Sequence, residues 1–395
     1  MKYIAVGEAA ERWGVDSRAV QRYCASGKIR GAKKYGRAWM VPDDAERPPD
    51  GRKKPAEALP PLYPGLFLME NIRLDGRSAD EIAAELPDEE HRHEFFWEFA
   101  LLQGKTKTSM EICDRIPKNS RFRMTVLHGR NVAAIRRGRY DALRRSMDAL
   151  KGLRKEQETC PVACSCIDMA EAVVYASVYA ADRCPEWLQR GDFSQLPVDA
   201  RPFALYLYAL YLNATGQPRR MLGVTEAALA HPSKRGFTIP ELYLRIMRVN
   251  ALVALDSREQ ALELLEHALE LAVPYGLFAP FSEQLATMRG ALEEVARTRF
   301  PEAHKQILKG WKEVFSGWTE IHNRILDKEN TKLLTAREYQ IALFLVEGKS
   351  YKEIADSMHV SLASVNYSLQ MIREKLGVKK SRDLVRFVKW NQTTL

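Results

Sequence analysis

The sequence predicts a mainly α-helical protein of three unlike parts: a helix-and-hairpin unit at the N-terminal end, a long helical-repeat middle, and a short four-helix unit at the C-terminal end. Three observations carry that reading. Apolar residues recur at i, i+3 and i+4 along most of the chain and break at Gly or Pro, the pattern of helices with one apolar face. Turn-like segments in the middle resemble one another at a spacing near 39 residues. Charge is unevenly placed: residues 1–54 hold 13 Lys and Arg against 7 Asp and Glu, residues 331–395 hold 11 against 6, and the stretch between holds 36 against 38. Two basic ends on a nearly neutral body is the layout expected if the ends touch a polyanion and the body does something else.

Composition narrows the class further. A chain of 395 residues is long enough for two to four domains. With 46% hydrophobic and 28% charged residues it reads as ordinary globular protein. The longest apolar candidate, Phe203 to Leu212, is about half of the ~18 residues that a membrane span requires, and Met1 to Ala10 lacks the apolar core of a signal peptide. The expectation is a cytoplasmic protein with no membrane partner. Six cysteines are too few for a disulfide framework, and the crowding of Cys160, Cys164 and Cys166 suits reduced thiols.

The N-terminal domain is expected over residues 1–47. Val6, Ala9, Ala10 and Trp13 place a helix over 6–13, Gly14-Val15-Asp16-Ser17 turns the chain, and a second helix runs from Arg18 to Ser26 until Gly27 stops it. Ile29–Lys33 and Arg37–Val41 read as strands around a Lys34-Tyr35-Gly36 loop, and Pro42 ends the second. A helix-turn-helix followed by a basic hairpin is a winged helix. Val6-x-Glu8-Ala9-Ala10, Trp13-Gly14-Val15, Val20-Gln21, Gly27-x-Ile29-x-Gly31-Ala32 and Gly36-Arg37-x-Trp39-x-Val41-Pro42 resemble the excisionase and MerR-type DNA-binding fold. The resemblance covers about 45 residues. It implies that Ser17, Arg18, Gln21 and Arg22 enter a groove while Lys33, Lys34 and Arg37 on the wing meet phosphates. A Pro-, Lys- and Glu-rich linker follows, with bounds at 48–61.

The middle, residues 62–330, is expected to be an α-solenoid. The turns at Gly138, Gly216 and Asp256 stand 78 and 40 residues apart, compatible with a period near 39 and one divergent copy around Ala176. The stretch Ala261-Leu262-Glu263-Leu264-Leu265-Glu266 through Pro274-x-Gly276 resembles the tetratricopeptide-like repeats that precede LuxR-type domains in the MalT group of activators. That group also carries a nucleotide-hydrolysing module, for which this chain lacks the motif. Gln103-Gly104-Lys105-Thr106 ends like a phosphate-binding loop, but Phe99 stands where its first Gly belongs, and Gly104 instead reads as the stop of a helix over His91–Gln103. Phe95, Phe96, Trp97 and Phe99, and Tyr206, Tyr208 and Tyr211, read as core. Cys160, Cys164, Cys166 and Cys184 lack the spacing and the neighbouring His of a zinc site, so no metal and no cofactor is expected. The eight His are scattered, with no catalytic constellation, so the chain is not expected to be an enzyme.

The C-terminal domain is expected over residues 331–395. Thr335-Ala336-Arg337-Glu338 and Ser350-Tyr351-Lys352-Glu353 are capping boxes, Gly348 and Gly377 are helix stops, and Ser361 and Ser381 cap a third and a fourth helix. Ile341, Leu345, Ile354, Ala355, Met358, Val360, Val365, Leu369, Ile372 and Leu376 form one small core, and only His359-Val360 separates the second helix from the third. Leu334-Thr335-x-Arg337-Glu338, Gly348-x-Ser350-x-Lys352-Glu353-Ile354-Ala355, Val360-Ser361-x-x-Ser364-Val365 and Lys375-Leu376-Gly377-Val378 resemble the LuxR-type, or NarL-type, DNA-binding domain.

This second resemblance covers about 60 residues. It implies a four-helix helix-turn-helix domain whose third helix reads double-stranded DNA and whose usual task is transcription regulation. By it, Lys352 holds a phosphate, and Ser361, Ser364, Val365, Asn366, Tyr367, Gln370 and Arg373 belong to the DNA-facing set. The fourth helix, with Leu384, Phe387 and Val388 on one face, pairs two chains into a homodimer on DNA, and RNA polymerase is a further partner. The family usually has Thr-Val-Lys-x-His where this chain reads Ser364-Val365-Asn366-Tyr367-Ser368, so a cation that commonly touches DNA is lost. An altered site preference and a shallower salt dependence are expected. The whole then reads as a transcription regulator whose helical middle senses an effector or protein partner. The rival reading is an interaction scaffold whose winged helix binds protein.

Overall fold

A computed structural model describes residues 2–48, 60–230, 236–288, 290–326, 336–346, 348–358, 360–376, 379 and 380. The chain divides into two units, residues 1–59 and 60–395.

In the first unit, β1 (Tyr3–Ala5) leads into α1 (Val6–Trp13), then α2 (Ser17–Ala25), β2 (Lys33–Tyr35) and β3 (Ala38–Pro42). Gly14, with φ +63°, ends α1, and the Asp16 carboxylate caps α2 by accepting from the Arg18 N–H at 2.9 Å. The three strands pair antiparallel in the order β1-β3-β2. Two expectations are corrected here. The strand β1 is not in the sequence reading, because three residues are too few to show an alternation. The hairpin also sits further along than expected: Ile29 is buried under α2, Ile29–Ala32 forms a turn, and Gly36-Arg37 is the loop. Gly36 takes φ +58° at the first loop position, as a type II′ turn requires. Ile4, Ala9, Ala10, Val20, Cys24, Ile29 and Val41 make this unit's own core.

The second unit is helical almost throughout. Its helices are α3 (Ala79–Ala84), α4 (Glu89–Leu102), α5 (Thr106–Cys113), α6 (Arg123–Arg136), α7 (Tyr140–Glu156), α8 (Pro161–Ser177), α9 (Glu186–Arg190), α10 (Arg201–Ala214), α11 (Pro218–Ala228), α12 (Ile239–Ala254), α13 (Arg258–Ala272), α14 (Ala279–Gln284), α15 (Ala291–Arg299) and α16 (Pro301–Leu326). Three more follow: α17 (Ala336–Val346), α18 (Tyr351–Met358) and α19 (Leu362–Leu376). The pairs α4–α5, α6–α7, α10–α11 and α12–α13 are hairpins, each turning at a residue of positive φ: Gly104 (+82°), Gly138 (+64°), Gly216 (+65°) and Asp256 (+59°). Tyr179, at φ +55°, follows α8 and falls beside the divergent copy expected near Ala176. The chain can make these tight turns because left-handed backbone costs Gly nothing and Asp little.

The array is not open, as a solenoid in which repeats touch only their neighbours would be. Its last helix returns to the start: α16 packs on α6 and α7 as well as on α14 and α15. Two hydrogen bonds tie it to the end of α8, where carbonyls have no partner within their helix. Trp318 Nε1 donates to Ser177 O and His322 Nδ1 to Val178 O, each at 2.7 Å. A third fastening uses glycine, since a Cβ on Gly317 would stand 2.2 Å from Arg136 O. Leu74 and Phe237 also exchange backbone hydrogen bonds, at 2.8 and 3.0 Å, and so join the entry segment to the start of α12. Among the described residues no helix is long and apolar enough to cross a membrane.

Candidate nucleic-acid interface

Helices α17, α18 and α19 pack around Ile341, Ala342, Phe344, Leu345, Ile354, Ala355, Val365, Leu369 and Ile372. Gly348, at φ +82°, ends α17, and the Gly348 and Lys349 N–H groups return to Leu345 O and Phe344 O. The second expected capping box is made. Ser350 N donates to Glu353 Oε2 at 2.7 Å and Glu353 N to Ser350 Oγ at 3.3 Å. Hydrogen bonds from the Ser350 hydroxyl and N–H hold the Glu353 carboxyl below its usual range, so it serves the cap as an anion at a helix N-terminus. The turn into α19 is closed by Val360 N to Ala355 O at 3.0 Å, and Ser361 Oγ caps α19 by accepting from Ser364 N at 3.2 Å. The first capping box, the Gly377 stop, and the fourth helix with Leu384, Phe387 and Val388 lie outside the described residues.

With Val365, Ser368, Leu369 and Ile372 buried, α19 turns Leu362, Ala363, Asn366, Tyr367 and Gln370 outward. Of the residues expected to face DNA, Lys352, Ser361, Asn366, Tyr367 and Gln370 are exposed, and Ser364 and Arg373 are half-buried. Val365 is corrected: it is fully buried and packs α19 on the core, so no groove can reach it. The period of 3.6 requires this, because Val365, Leu369 and Ile372 share one face. Gln370 Nε2 is engaged by Glu374 Oε1 at 2.9 Å and Arg373 Nε by Leu369 O at 3.2 Å. The outward stripe carries no Lys or Arg, and the nearest exposed cation on the neighbouring helix is Lys352. Such a surface can contact thymine methyls and base edges but supplies few phosphate contacts of its own.

In the first unit, Ser17, Arg18, Gln21 and Arg22 form one exposed stripe on α2, and Lys33, Lys34 and Arg37 are exposed on the hairpin. Lys33 Nζ stands 5.4 Å from the Tyr3 ring centroid and Lys34 Nζ 5.9 Å from that of Trp39, so aromatic faces support both ammonium groups. The corrected register moves Lys34 from the loop onto β2, opposite Trp39, and moves Arg37 from a strand to the loop. Exposed large hydrophobic side chains among the described residues are Tyr35, Val162, Val198, Leu362 and Tyr367. Three of these five sit on the two surfaces just described. Tyr35 and Leu362 were missed by sequence reasoning, although Leu362, directly after the Ser361 cap, starts the helix on its outer side.

Elsewhere in the second unit the cysteines are free thiols in unlike surroundings. Cys160 is exposed, Cys164 donates to Gln157 O at 3.3 Å, and burial pushes the Cys166 and Cys184 thiols up to about 12. Among the described residues no group of His, Cys, Asp and Glu could hold a metal ion.

A capped three-helix core with a short turn before its outward-facing last helix defines the C-terminal part as a helix-turn-helix domain. Residues 332–388 match the family described as bacterial regulatory proteins, luxR family, so this part of the chain is a luxR-type helix-turn-helix domain. No curated protein and no solved structure matches the chain.

Proposed function

We propose that the chain is a sequence-specific DNA-binding transcription regulator. The observation that carries this is the outward stripe of α19, where Leu362 and Tyr367 are 46% and 66% exposed beside Asn366 on a helix held by its own buried core. Water is a poor partner for such side chains, and a major groove is a good one. On this reading Lys352 takes a phosphate and Ser361, Ser364, Asn366, Tyr367, Gln370 and Arg373 read or frame the bases, in a domain spanning 331–395. Residues 1–47 are a second reader of the excisionase and MerR kind, joined by the linker 48–61. Residues 62–330 are a helical-repeat sensor of tetratricopeptide-like ancestry. Leu384, Phe387 and Val388 pair two chains at half-sites about one DNA turn apart.

The test is competitive retention of genomic DNA fragments at about 150 mM salt, a concentration at which purely electrostatic binding is weak. Full-length chain, a chain starting at Pro55 and a chain ending at Asn330 are compared, and the retained fragments are sequenced. Each truncation is expected to lose a distinct sequence preference. Unchanged preference without residues 1–54 would assign the first unit to protein contacts, and no enrichment by any chain would leave the interaction scaffold.

A further inference from the structure

Between the inner helices of the array and α16 lies a cavity of about 700 Å³, lined from α4, α6, α8, α10, α12, α14 and α16. That is the size of a drug-sized ligand pocket. Its walls are chiefly aromatic and aliphatic, with Phe67, Phe203, Tyr206, Tyr243, Trp311 and Trp318 prominent. Tyr206 and Tyr243 stack at 4.3 Å between centroids, and Phe67 meets Phe203 edge to face at 5.1 Å. Half-buried Gln217, Pro218, Ala254, Ala286, Thr287 and Val314 mark where the cavity meets solvent.

Charge in the walls is cancelled internally. Arg136 Nη2 bonds Glu283 Oε1 at 2.6 Å, and Arg136 Nη1 donates to Leu101 O at 2.9 Å. Glu70 and Glu98 in the walls are fully buried, and burial lifts both carboxyls well above the usual range, which disfavours their charged form. Burial likewise lowers His128 to about 3, so its ring is uncharged. Polar capacity is nevertheless left over. Glu70 Oε2, both ring nitrogens of His128, Arg136 Nε and Asn250 Oδ1 are buried without hydrogen-bond partners, and all four residues line the cavity. Buried polar atoms are normally satisfied, and this set includes both donors and acceptors. A hydroxyl group is the simplest complement, because it both donates and accepts.

We propose that this cavity is the effector site and that it takes an uncharged, hydroxylated aromatic small molecule. The word effector rests on the regulator reading above, whereas the ligand site stands without it. Aromatic walls favour a ring, the internal ion pair leaves no charge for an anion or a cation, and the unpartnered atoms favour hydroxyls. Two connections join the cavity to the DNA-binding domain. α16 supplies one wall through Trp311, Val314, Phe315 and Trp318, and the chain passes from it to α17. An adjoining wall, Glu283 to Thr287, leads to Gly290, where a Cβ would meet Lys349 Nζ at 3.4 Å and Phe344 Cε1 at 3.5 Å. Just beyond, Glu293 Oε1 accepts from Gln340 Nε2 of α17 at 3.1 Å. A ligand that shifts α16 or this segment therefore shifts the reading domain's support.

The experiment titrates the full chain with naphthol and with its charged counterpart naphthoate by calorimetry, in the wild type and in Ala286→Trp and Val314→Trp, two half-buried lining positions on different elements. Naphthol is expected to bind at least about tenfold more tightly than naphthoate, and each variant that keeps the wild-type circular dichroism to lose about tenfold in naphthol affinity. Absent naphthol binding, tighter naphthoate binding, or full affinity in both folded variants would each overturn the site. A second arm measures DNA retention with and without saturating naphthol, where a change of about threefold or more is expected. Binding with no change in DNA affinity would remove the effector role and leave the ligand site. Failure to retain DNA in either condition would overturn the regulator reading alone.

Discussion

Glu94 and Glu98 lie one turn apart on α4, both essentially without solvent contact. Trp97 Nε1 donates to Glu94 Oε2 at 2.7 Å, and the Leu68 and Met69 N–H groups donate to Glu98 at 2.7 and 2.8 Å. Burial dominates all the same and pushes Glu94 up to about 8 from its ordinary 4.5. The folded chain thus keeps a proton that the unfolded chain has lost above pH 4.5. Stability from this source is full below pH 4.5 and falls as pH rises toward 8. His128 works in the opposite sense: buried and neutral, it costs stability as pH falls from 6.5 toward 3. Glu94→Gln retains an acceptor for Trp97 and removes one titration, so its Tm should decline less than the wild type's between pH 5 and 8. Parallel Tm curves would refute the assignment. None of this was legible in Glu94 or Glu98 as letters, because a helix with acids one turn apart usually holds them in solvent. Val365 was the reverse case: its helical period already placed it in the core, and only a borrowed motif placed it on DNA.

At the scale of elements, the fastening of α16 gives the sharpest test. Gly317→Ala would force a Cβ into Arg136 O and is expected to cost about 1–3 kcal/mol, read as a lower Tm for the second unit. Gly152, exposed in α7 with nothing within 4 Å of an added Cβ, is the control. Gly152→Ala should be neutral or raise stability by up to about 1 kcal/mol. Equal effects of the two substitutions would show that helix propensity, not close approach, governs Gly317. The hairpins of the array were legible because Gly138, Gly216 and Asp256 sit where the backbone turns left-handed. Closure by α16 was not, since Trp311, Phe315 and Trp318 would give the same apolar face whether it covered a neighbour or the far end of the array. For the same reason Tyr206 read as plain core, although it is also cavity wall.

For the whole molecule, charge was the most readable property, and assembly is the least visible one. The proposed pairing face of Leu384, Phe387 and Val388 rests on the LuxR-type resemblance, which implies a pairing fourth helix, and on the helical spacing of the three residues. Leu384→Glu is expected to halve the sedimentation mass of the DNA-bound protein without changing its circular dichroism, and an unchanged mass would refute the pairing. The return of α16 to α6 also has a meaning for synthesis. On the ribosome, α4 to α13 can form their hairpins as they emerge, because those contacts are local. Trp311 and Trp318, however, reach the aromatic inner surface only after residues 301–326 have been made, some 180 residues after α6 left the exit tunnel. Until then that surface is sticky and solvent-facing. The nascent chain carries that surface uncovered for nearly half of its synthesis, and the luxR-type domain is the next segment made after the helix that ends this exposure.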